Sequence, residues 1–139
     1  IHHRGTPEMP GLVLALDARP GATCTGLALR VEPGHEAQTL GMLRERELVS
    51  SAYLERRLPL DLHDGRRIEA VAYIIDPTHE QYLSGMDLET QARIIAQAQG
   101  GRGSNEEYLF NTTTHLTQLG ISDPDLDWLS TRVRNLKGL

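Results

Sequence analysis

A short charged and apolar stretch contains the carboxylate whose placement points most clearly to chemistry. Residues 40–57 read LGMLRERELVSSAYLERR. At a helical step of about 100° per residue, Glu47 lies about 20° from Leu40 and Leu43 lies about 60° from it. These three residues therefore share one face of a helix, while Glu45 points to the opposite side. A surface helix normally keeps its carboxylates in water, so an inward one needs a partner or a function.

The chemistry open to an inward-pointing Glu47 is proton transfer. Partial burial disfavours the anion, and the unpaired carbonyls of the last helical turn disfavour it further. A carboxyl group poised in this way can accept and return a proton near neutral pH. The alternative is a structural salt bridge in which Arg56 or Arg57 neutralises the carboxylate. Helical spacing alone leaves both interpretations open.

Other reactive residue types lack the spacing that catalysis or metal binding requires. Ser50 and Ser51 have no glycine-flanked turn of the kind that presents a hydrolase nucleophile, so we interpret them as loop residues. Cys24 has no disulfide partner and is predicted to be a small buried thiol at the start of a strand. The histidines are adjacent or scattered and have no Cys partners, so no metal site is predicted. They are His2, His3, His35, His63, His79 and His115.

Three further features have two interpretations each. The stretch GGRGSN, residues 100–105, leads into a predicted helix N-terminus and resembles an anion cradle. It lacks the Lys-Ser/Thr of a P-loop and the spacing of a dinucleotide fingerprint, so a flexible helix connection is favoured over a site for a substrate carboxylate. Tyr53 and Tyr108 are either core residues with bonded hydroxyls or groups that contact a ligand.

The elements that precede and follow Glu47 are predicted from apolar periodicity and turn residues. Residues 11–17 and 24–31 are apolar runs that predict a pair of strands, with a turn at Pro20 and Gly21 between them. A helix is predicted over residues 35–48, and Glu47 lies in its last turn.

A hairpin is predicted after this helix. Residues 52–62 and 66–76 are joined through a turn that contains Gly65. Pro59 places the first strand at an edge or a bulge. The second strand is apolar on both faces, which predicts a central strand.

The last third of the chain predicts three helices. The first ends near residue 100, the second starts at a capping box formed by Ser104 and Glu107, and the third starts at Asp123 with Pro124 in its first position. The apolar positions that predict their buried faces are Leu88, Ala92, Ile95, Leu109, Leu116, Leu119, Leu126, Leu129, Val133 and Leu136. Strands followed by a group of helices indicate an α+β fold rather than an alternating α/β one.

Composition excludes several classes of protein. A chain of 139 residues with 39% hydrophobic content is long enough for one domain with its own core, so we predict a single domain over residues 1–139. The net charge of -5 and the absence of a basic run argue against a nucleic-acid partner. No apolar stretch is long enough to cross a bilayer, and a cytoplasmic location is expected. The oligomeric state is not indicated by the sequence.

Four segments, taken together, give the chain a family resemblance. HHRGTPEMPGLVLALD, CTGLALRV, LRERE followed by a Tyr, and GRGSNEEYLFNTTTHLTQLGI occur in this order. They resemble the ChaC family of γ-glutamylcyclotransferases, which act on glutathione, and the resemblance covers nearly the whole chain. It implies a γ-glutamylcyclotransferase-like α+β fold, a small curved sheet or barrel with flanking helices.

The resemblance also implies an activity and its residues. The family's members are carbon–nitrogen lyases that release 5-oxoproline and cysteinylglycine from glutathione without a metal or other cofactor. Their essential acid/base is the glutamate of the RE motif, which corresponds to Glu47 and favours the functional interpretation of this residue over the salt bridge. Tyr108 in NEEYL and Tyr53 correspond to residues that position substrate. The alternatives are a non-catalytic module of the same fold that binds a γ-glutamyl or amino-acid ligand, and a cyclotransferase for another γ-glutamyl amine.

One segment that the resemblance implies is absent from the sequence. ChaC-like proteins carry a strand that ends in a Tyr-Gly-Ser-Leu type loop, whose backbone holds the γ-glutamyl group. This loop precedes HRGTPE, whereas the present sequence starts at Ile1, immediately before the matching segment. We expect an upstream segment to complete the pocket, and the alternative is a protein that has lost part of it. On either interpretation the 139 residues alone can be inactive.

Overall fold

The computed structural model describes residues 3–139, so His2 lies outside the described residues. The elements of this part of the chain are α1 (Glu36–Glu47), β1 (Tyr53–Asp61), β2 (Arg67–Ile75), α2 (Leu88–Gln97), β3 (Gln99–Gly100), β4 (Gly103–Ser104), α3 (Asn105–Gln118) and α4 (Pro124–Lys137). The long strands precede a group of three helices, which confirms the α+β class. The strands form two separate two-stranded sheets, β1 with β2 and β3 with β4. The described residues form no closed barrel, so that alternative is wrong for them.

The chain divides into two compact units. One unit is formed by residues Leu83–Leu139 together with the N-terminal residues up to Leu14, and the other by Ala15–Tyr82. The first contains α2, α3 and α4, and the second contains α1 and the β1–β2 hairpin. A single domain over residues 1–139 stays a prediction. Within residues 3–139 no helix has the length and apolar character needed to cross a membrane.

In the Ala15–Tyr82 unit, the predicted helix and hairpin are both confirmed. The hairpin is antiparallel, with Tyr53 opposite Ile75 at its open end. Its turn places Gly65 at a φ of 85°, a left-handed conformation that glycine adopts without steric cost. The predicted central position of β2 is wrong for the described residues. Besides β1, β2 has a single parallel bridge as a neighbour, between Leu16 and Ile74.

The predicted strand pair 11–17 and 24–31 is wrong, and side chains from α3 explain part of this. Asn105 accepts a hydrogen bond from the Leu12 N–H at 2.8 Å and donates one to the Leu12 carbonyl at 2.7 Å. The hydroxyl of Tyr108 accepts a bond from the Leu14 N–H at 3.1 Å. These main-chain groups, which a sheet would pair with a neighbouring strand, are already satisfied.

Residues 24–31 also form no strand, because their apolar pattern finds no sheet neighbour among the described residues. The side chain of Leu29 is 84% exposed. Cys24 is exposed as well, so the predicted buried thiol is wrong. The turn before this segment is confirmed by a hydrogen bond from the Ala22 N–H to the Arg19 carbonyl at 3.1 Å.

In the other unit, α3 and α4 begin at their predicted caps Ser104 and Asp123, whereas the start of α2 at its cap Asp87 was not predicted. The side chains of Asp87, Ser104 and Asp123 each accept a hydrogen bond from a backbone N–H in the first turn of α2, α3 and α4. Burial of the apolar stripes provides the main stabilisation, since the caps add only about 1 kcal/mol each. The core consists of Ala92, Ile95, Leu109, Leu126, Leu129 and Val133.

Close backbone contact fixes the N-terminal segment within the helical unit, and this gives a first prediction. A Cβ on Gly11 would overlap the carbonyl of Arg4 and lie 3.0 Å from Oδ1 of Asn105. Because backbone atoms cannot move aside easily, we expect Gly11→Ala to lower the free energy of unfolding by about 1–3 kcal/mol, measured by denaturant titration.

Gly41→Ala is the matched control for this substitution. A Cβ at Gly41 has no atom within 4 Å, and alanine favours a helix more than glycine does, so no loss of stability is expected. Equal stability of Gly11→Ala and the unmodified chain would contradict the close contact between residue 11 and Arg4.

Candidate active site

Glu47 is the last residue of α1 and lies on the face that its spacing predicts. Leu40, Leu43 and Glu47 are all partly buried, whereas Glu45 is exposed. The predicted inward face is therefore confirmed. The role of Glu47 as an acid and base stays a prediction at this point.

The proposed salt bridge from Glu47 to Arg56 or Arg57 is not formed. Arg56 donates to the backbone carbonyl of Glu55 at 2.9 Å, and Arg57 pairs with Glu69 at 3.4 Å. Among the ion pairs of residues 3–139, none includes Glu47. The structural alternative that the sequence left open is therefore wrong for the described residues.

An ion pair and a tyrosine stand between α1 and the hairpin. Arg44 donates through Nε and Nη2 to the two carboxylate oxygens of Glu55, both at 2.9 Å. The hydroxyl of Tyr73 donates to Oε1 of Glu55, also at 2.9 Å. The hydrogen bond from Arg44 lowers the pKa of Glu55, and the bond from Tyr73 adds to this effect. Glu55 therefore stays ionised at neutral pH.

The charge of Glu47 also affects the pKa of Tyr73, which belongs to the same hydrogen-bonded group. Burial raises the pKa of Tyr73, the hydrogen bond and the charge of Glu55 raise it further, and the carboxylate of Glu47 adds a smaller contribution. Tyr73 is therefore a neutral hydrogen-bond donor at physiological pH. On the hairpin, this phenol is a group on which the charge of Glu47 acts.

Tyr53 lies on the same face of the hairpin as this network. Tyr53 and Glu55 are two residues apart on β1, and their cross-strand partners on β2 are Ile75 and Tyr73. Since side chains alternate along a strand, Tyr53, Glu55 and Tyr73 point to one side. We call Arg44, Glu47, Tyr53, Glu55 and Tyr73 the helix-end cluster. Tyr53 is half-buried on this face, and its role toward substrate stays a prediction.

The connection between α1 and β1 is held by hydrogen bonds. The ring of His79 donates from Nε2 to the carbonyl of Ser50 at 3.0 Å, and the Asp76 N–H donates to the carbonyl of Ala52 at 2.7 Å. Ser51 has a φ of 58°, an uncommon value for a residue other than glycine. These bonds fix the end of α1 relative to the start of β1. The loop assignment of both serines is confirmed.

Tyr108, the third predicted site residue, belongs to the other compact unit. Besides the bond from Leu14, its ring lies 5.7 Å from the guanidinium carbon of Arg4. It borders a hollow of about 70 Å³ whose lining includes Asn105 and is mostly apolar. This volume is below the roughly 300–1,000 Å³ typical of small-molecule pockets. Substrate positioning by Tyr108 stays a prediction.

A second hollow lies between α3 and α4. It has a volume of about 220 Å³, and its lining includes Phe110, Thr113 and Arg134. Neither of these hollows in the described part of the chain is lined by Glu47.

The glycine-rich stretch forms a short hairpin that leads into α3. Residues 99–104 form the β3–β4 hairpin, and Arg4 donates to the carbonyl of Ser104 at 3.3 Å. The same arginine pairs with Glu107 at 3.1 Å, so this carboxylate does not complete the capping box. Within residues 3–139 no group of three or more His, Cys, Asp or Glu side chains is arranged to hold a metal ion.

Sequence reasoning missed Arg44, Glu55 and Tyr73 of the helix-end cluster and Asn105 of the helical unit. Arg44 was visible as a cation three residues before Glu47 on a predicted helix. Glu55 and Tyr73 meet only through the register of the hairpin, which the sequence does not specify to the residue. Asn105 is fully buried, and its only signal is its position directly after the predicted cap Ser104.

This chain is similar to known proteins both in sequence and in fold. A family model described as ChaC-like protein matches residues 1–136. The glutathione-specific γ-glutamylcyclotransferase of Escherichia coli is 38% identical over 133 residues, which cover 96% of this chain and 57% of that protein. The γ-glutamylcyclotransferase 2-3 of Arabidopsis thaliana is 31% identical over 140 residues. The match covers 96% of this chain and 70% of the plant protein. The chain thus spans little more than half the length of the bacterial relative.

A solved structure has the same fold. The crystal structure of the yeast γ-glutamyl cyclotransferase specific to glutathione superposes with a TM-score of 0.75 at 21% identity. The match covers 98% of this chain and 82% of the yeast chain.

Proposed function

Because the chain belongs to the ChaC-like family, we propose that this protein is a γ-glutamylcyclotransferase that cleaves glutathione to 5-oxoproline and cysteinylglycine. The names of the bacterial relative and of the yeast structure support glutathione as the substrate. The observation that carries the proposal is the partly buried carboxylate of Glu47, which ends α1 and forms no ion pair within residues 3–139. A carboxylate held in this way is available for proton transfer.

The reaction needs no water and no covalent intermediate with the enzyme. The free α-amine of the γ-glutamyl group attacks the γ-carbonyl carbon of the same group and forms a new C–N bond. The bond from that carbon to the cysteine nitrogen then breaks. The five-membered ring leaves as 5-oxoproline, and the cysteine nitrogen leaves as the amine of cysteinylglycine.

In our proposal, Glu47 carries out both proton transfers of this reaction. The α-amine is an ammonium ion at neutral pH and is not nucleophilic, so Glu47 removes one proton from it. The protonated carboxyl group then delivers a proton to the departing nitrogen. One carboxyl group thus acts first as a base and then as an acid.

The rest of the catalysis is positioning. Both reacting groups belong to one molecule, so an enzyme accelerates the reaction by holding the γ-glutamyl chain in a bent conformation. Substrate positioning by Tyr53 and by Tyr108, as the family resemblance implies, is part of the proposal. The cytoplasmic location predicted from the sequence is part of the same proposal.

The experiment that tests this function is incubation of the full-length protein with glutathione. We expect equal amounts of 5-oxoproline and cysteinylglycine, quantified by liquid chromatography with mass detection. Glutathione binding without product would favour the non-catalytic binding module. Faster turnover of a γ-glutamyl dipeptide than of glutathione would favour a cyclotransferase for another γ-glutamyl amine.

A further inference from the structure

Arg44 is a cation in the same helical turn as Glu47. The two residues are three positions apart on α1, so their side chains are neighbours on the helix surface. Oppositely charged side chains at this spacing attract each other across the helix surface. Such a pair would stabilise the anion of Glu47 and weaken it as a base.

The structure shows Arg44 bound elsewhere. Its guanidinium is held at two points by Glu55, with both N···O distances at 2.9 Å, which is the parallel geometry that arginine and carboxylate prefer. The hydroxyl of Tyr73 binds Oε1 of Glu55 from the neighbouring strand at 2.9 Å. A carboxylate with contacts from two sides has fewer orientations available, so it holds the guanidinium in one place.

We propose that Glu55 is a positioning residue that withholds Arg44 from Glu47 and so preserves the basicity of the carboxylate at the end of α1. This inference rests on the proposed function, because it concerns the acid and base of that reaction. Glu55 acts through Arg44 and needs no contact with substrate. Tyr73 supports it by fixing the orientation of the Glu55 carboxylate.

The charged and titratable groups around the end of α1 come from several elements. Arg44 lies on α1 itself, Glu55 on β1 and Tyr73 on β2. His79, from the segment after β2, bonds the carbonyl of Ser50 just beyond the helix. Tyr73 is neutral at physiological pH and Glu55 is ionised and paired. Arg57 on β1 also acts on Glu55 through its charge, but it has its own partner in Glu69. Removing the charge of Glu55 therefore releases Arg44, which it binds at two points, on the helix that carries Glu47.

The test uses Glu55→Gln in the full-length protein. The neutral amide cannot hold the guanidinium as an ion pair, so we expect Arg44 to approach Glu47. The acid limb of the kcat/KM profile against pH then moves to lower pH by about 0.5–1 unit, and the maximum falls about 3–10-fold. Both changes should shrink in 1 M salt, where exposed charges are screened.

The double variant Arg44→Gln/Glu55→Gln distinguishes withholding from a merely structural role. With the cation removed as well, the pH profile should return to that of the unmodified protein. A damaged fold would not recover in this way. Asp61→Asn is the matched control, since it removes the exposed partner of Arg67 at the turn end of the same hairpin and should leave the profile in place.

The outcomes separate this inference from the proposed function. An unchanged pH profile in Glu55→Gln, together with an inactive Glu47→Gln, would overturn the role of Glu55 and leave the proposed function standing. A double variant as impaired as Glu55→Gln would also overturn it. An active Glu47→Gln would overturn both. A crystal structure of Glu55→Gln should place a guanidinium nitrogen of Arg44 within about 4 Å of the Glu47 carboxylate, the distance of an ion pair.

Discussion

Glu47→Gln is expected to lower the rate of 5-oxoproline formation from glutathione by about 10²–10⁴-fold while the protein remains folded. The amide has nearly the same size and shape as the carboxyl group but cannot take up the proton of the substrate ammonium. Glu47 forms no ion pair within residues 3–139, so the substitution breaks no salt bridge of the described structure. The loss should therefore appear in kcat, measured by product quantification at saturating glutathione.

Glu45→Gln is the matched control for this result. It removes one negative charge from the same helix at an exposed position two residues away. We expect its turnover to stay within about twofold of the unmodified protein, because surface charges contribute little. Near-normal turnover in Glu47→Gln would remove the acid and base from the proposed mechanism. Circular dichroism and thermal unfolding of both variants establish that the fold is retained.

Asn105→Ala is expected to lower the free energy of unfolding by roughly 2–5 kcal/mol, since it removes two hydrogen bonds and leaves backbone groups without partners. Asn105 is fully buried, and its amide binds both the N–H and the carbonyl of Leu12. Alanine can satisfy neither group. Domains are typically stable by about 5–15 kcal/mol, so this loss is a large fraction of the total.

Denaturant titration measures this loss, and hydrogen exchange locates it. The amide of Leu12 should exchange faster in Asn105→Ala, and the neighbouring amide of Leu14, which donates to Tyr108, should follow. The control is Asn135→Ala, which removes an exposed amide from α4 and should change stability by less than about 0.5 kcal/mol. Unchanged protection of Leu12 in Asn105→Ala would contradict the paired hydrogen bonds.

Local sequence determined the helices of this protein and the end of α1. Side-chain caps such as Asp123 and apolar residues at helical spacing act within a few residues of one another, so the pattern predicts where a helix begins and which face is buried. The face of α1 that carries Glu47 follows from the same spacing. The β1–β2 hairpin was predicted for a similar reason, since the glycine turn and both strands are adjacent in the chain.

Only the tertiary structure determined which groups form hydrogen bonds with the main chain and which charged side chains form ion pairs. Residues 11–17 look like a strand, yet the N–H groups of Leu12 and Leu14 bond to side chains of α3 more than 90 residues away. The sequence offered Arg56 or Arg57 as a partner for Glu47, whereas within residues 3–139 Glu47 forms no ion pair and Arg44 binds Glu55. Hydrogen bonds and ion pairs act over a few ångströms in space. The pattern of a segment therefore determines its own conformation, while the choice among competing distant partners is made only when the chain is packed.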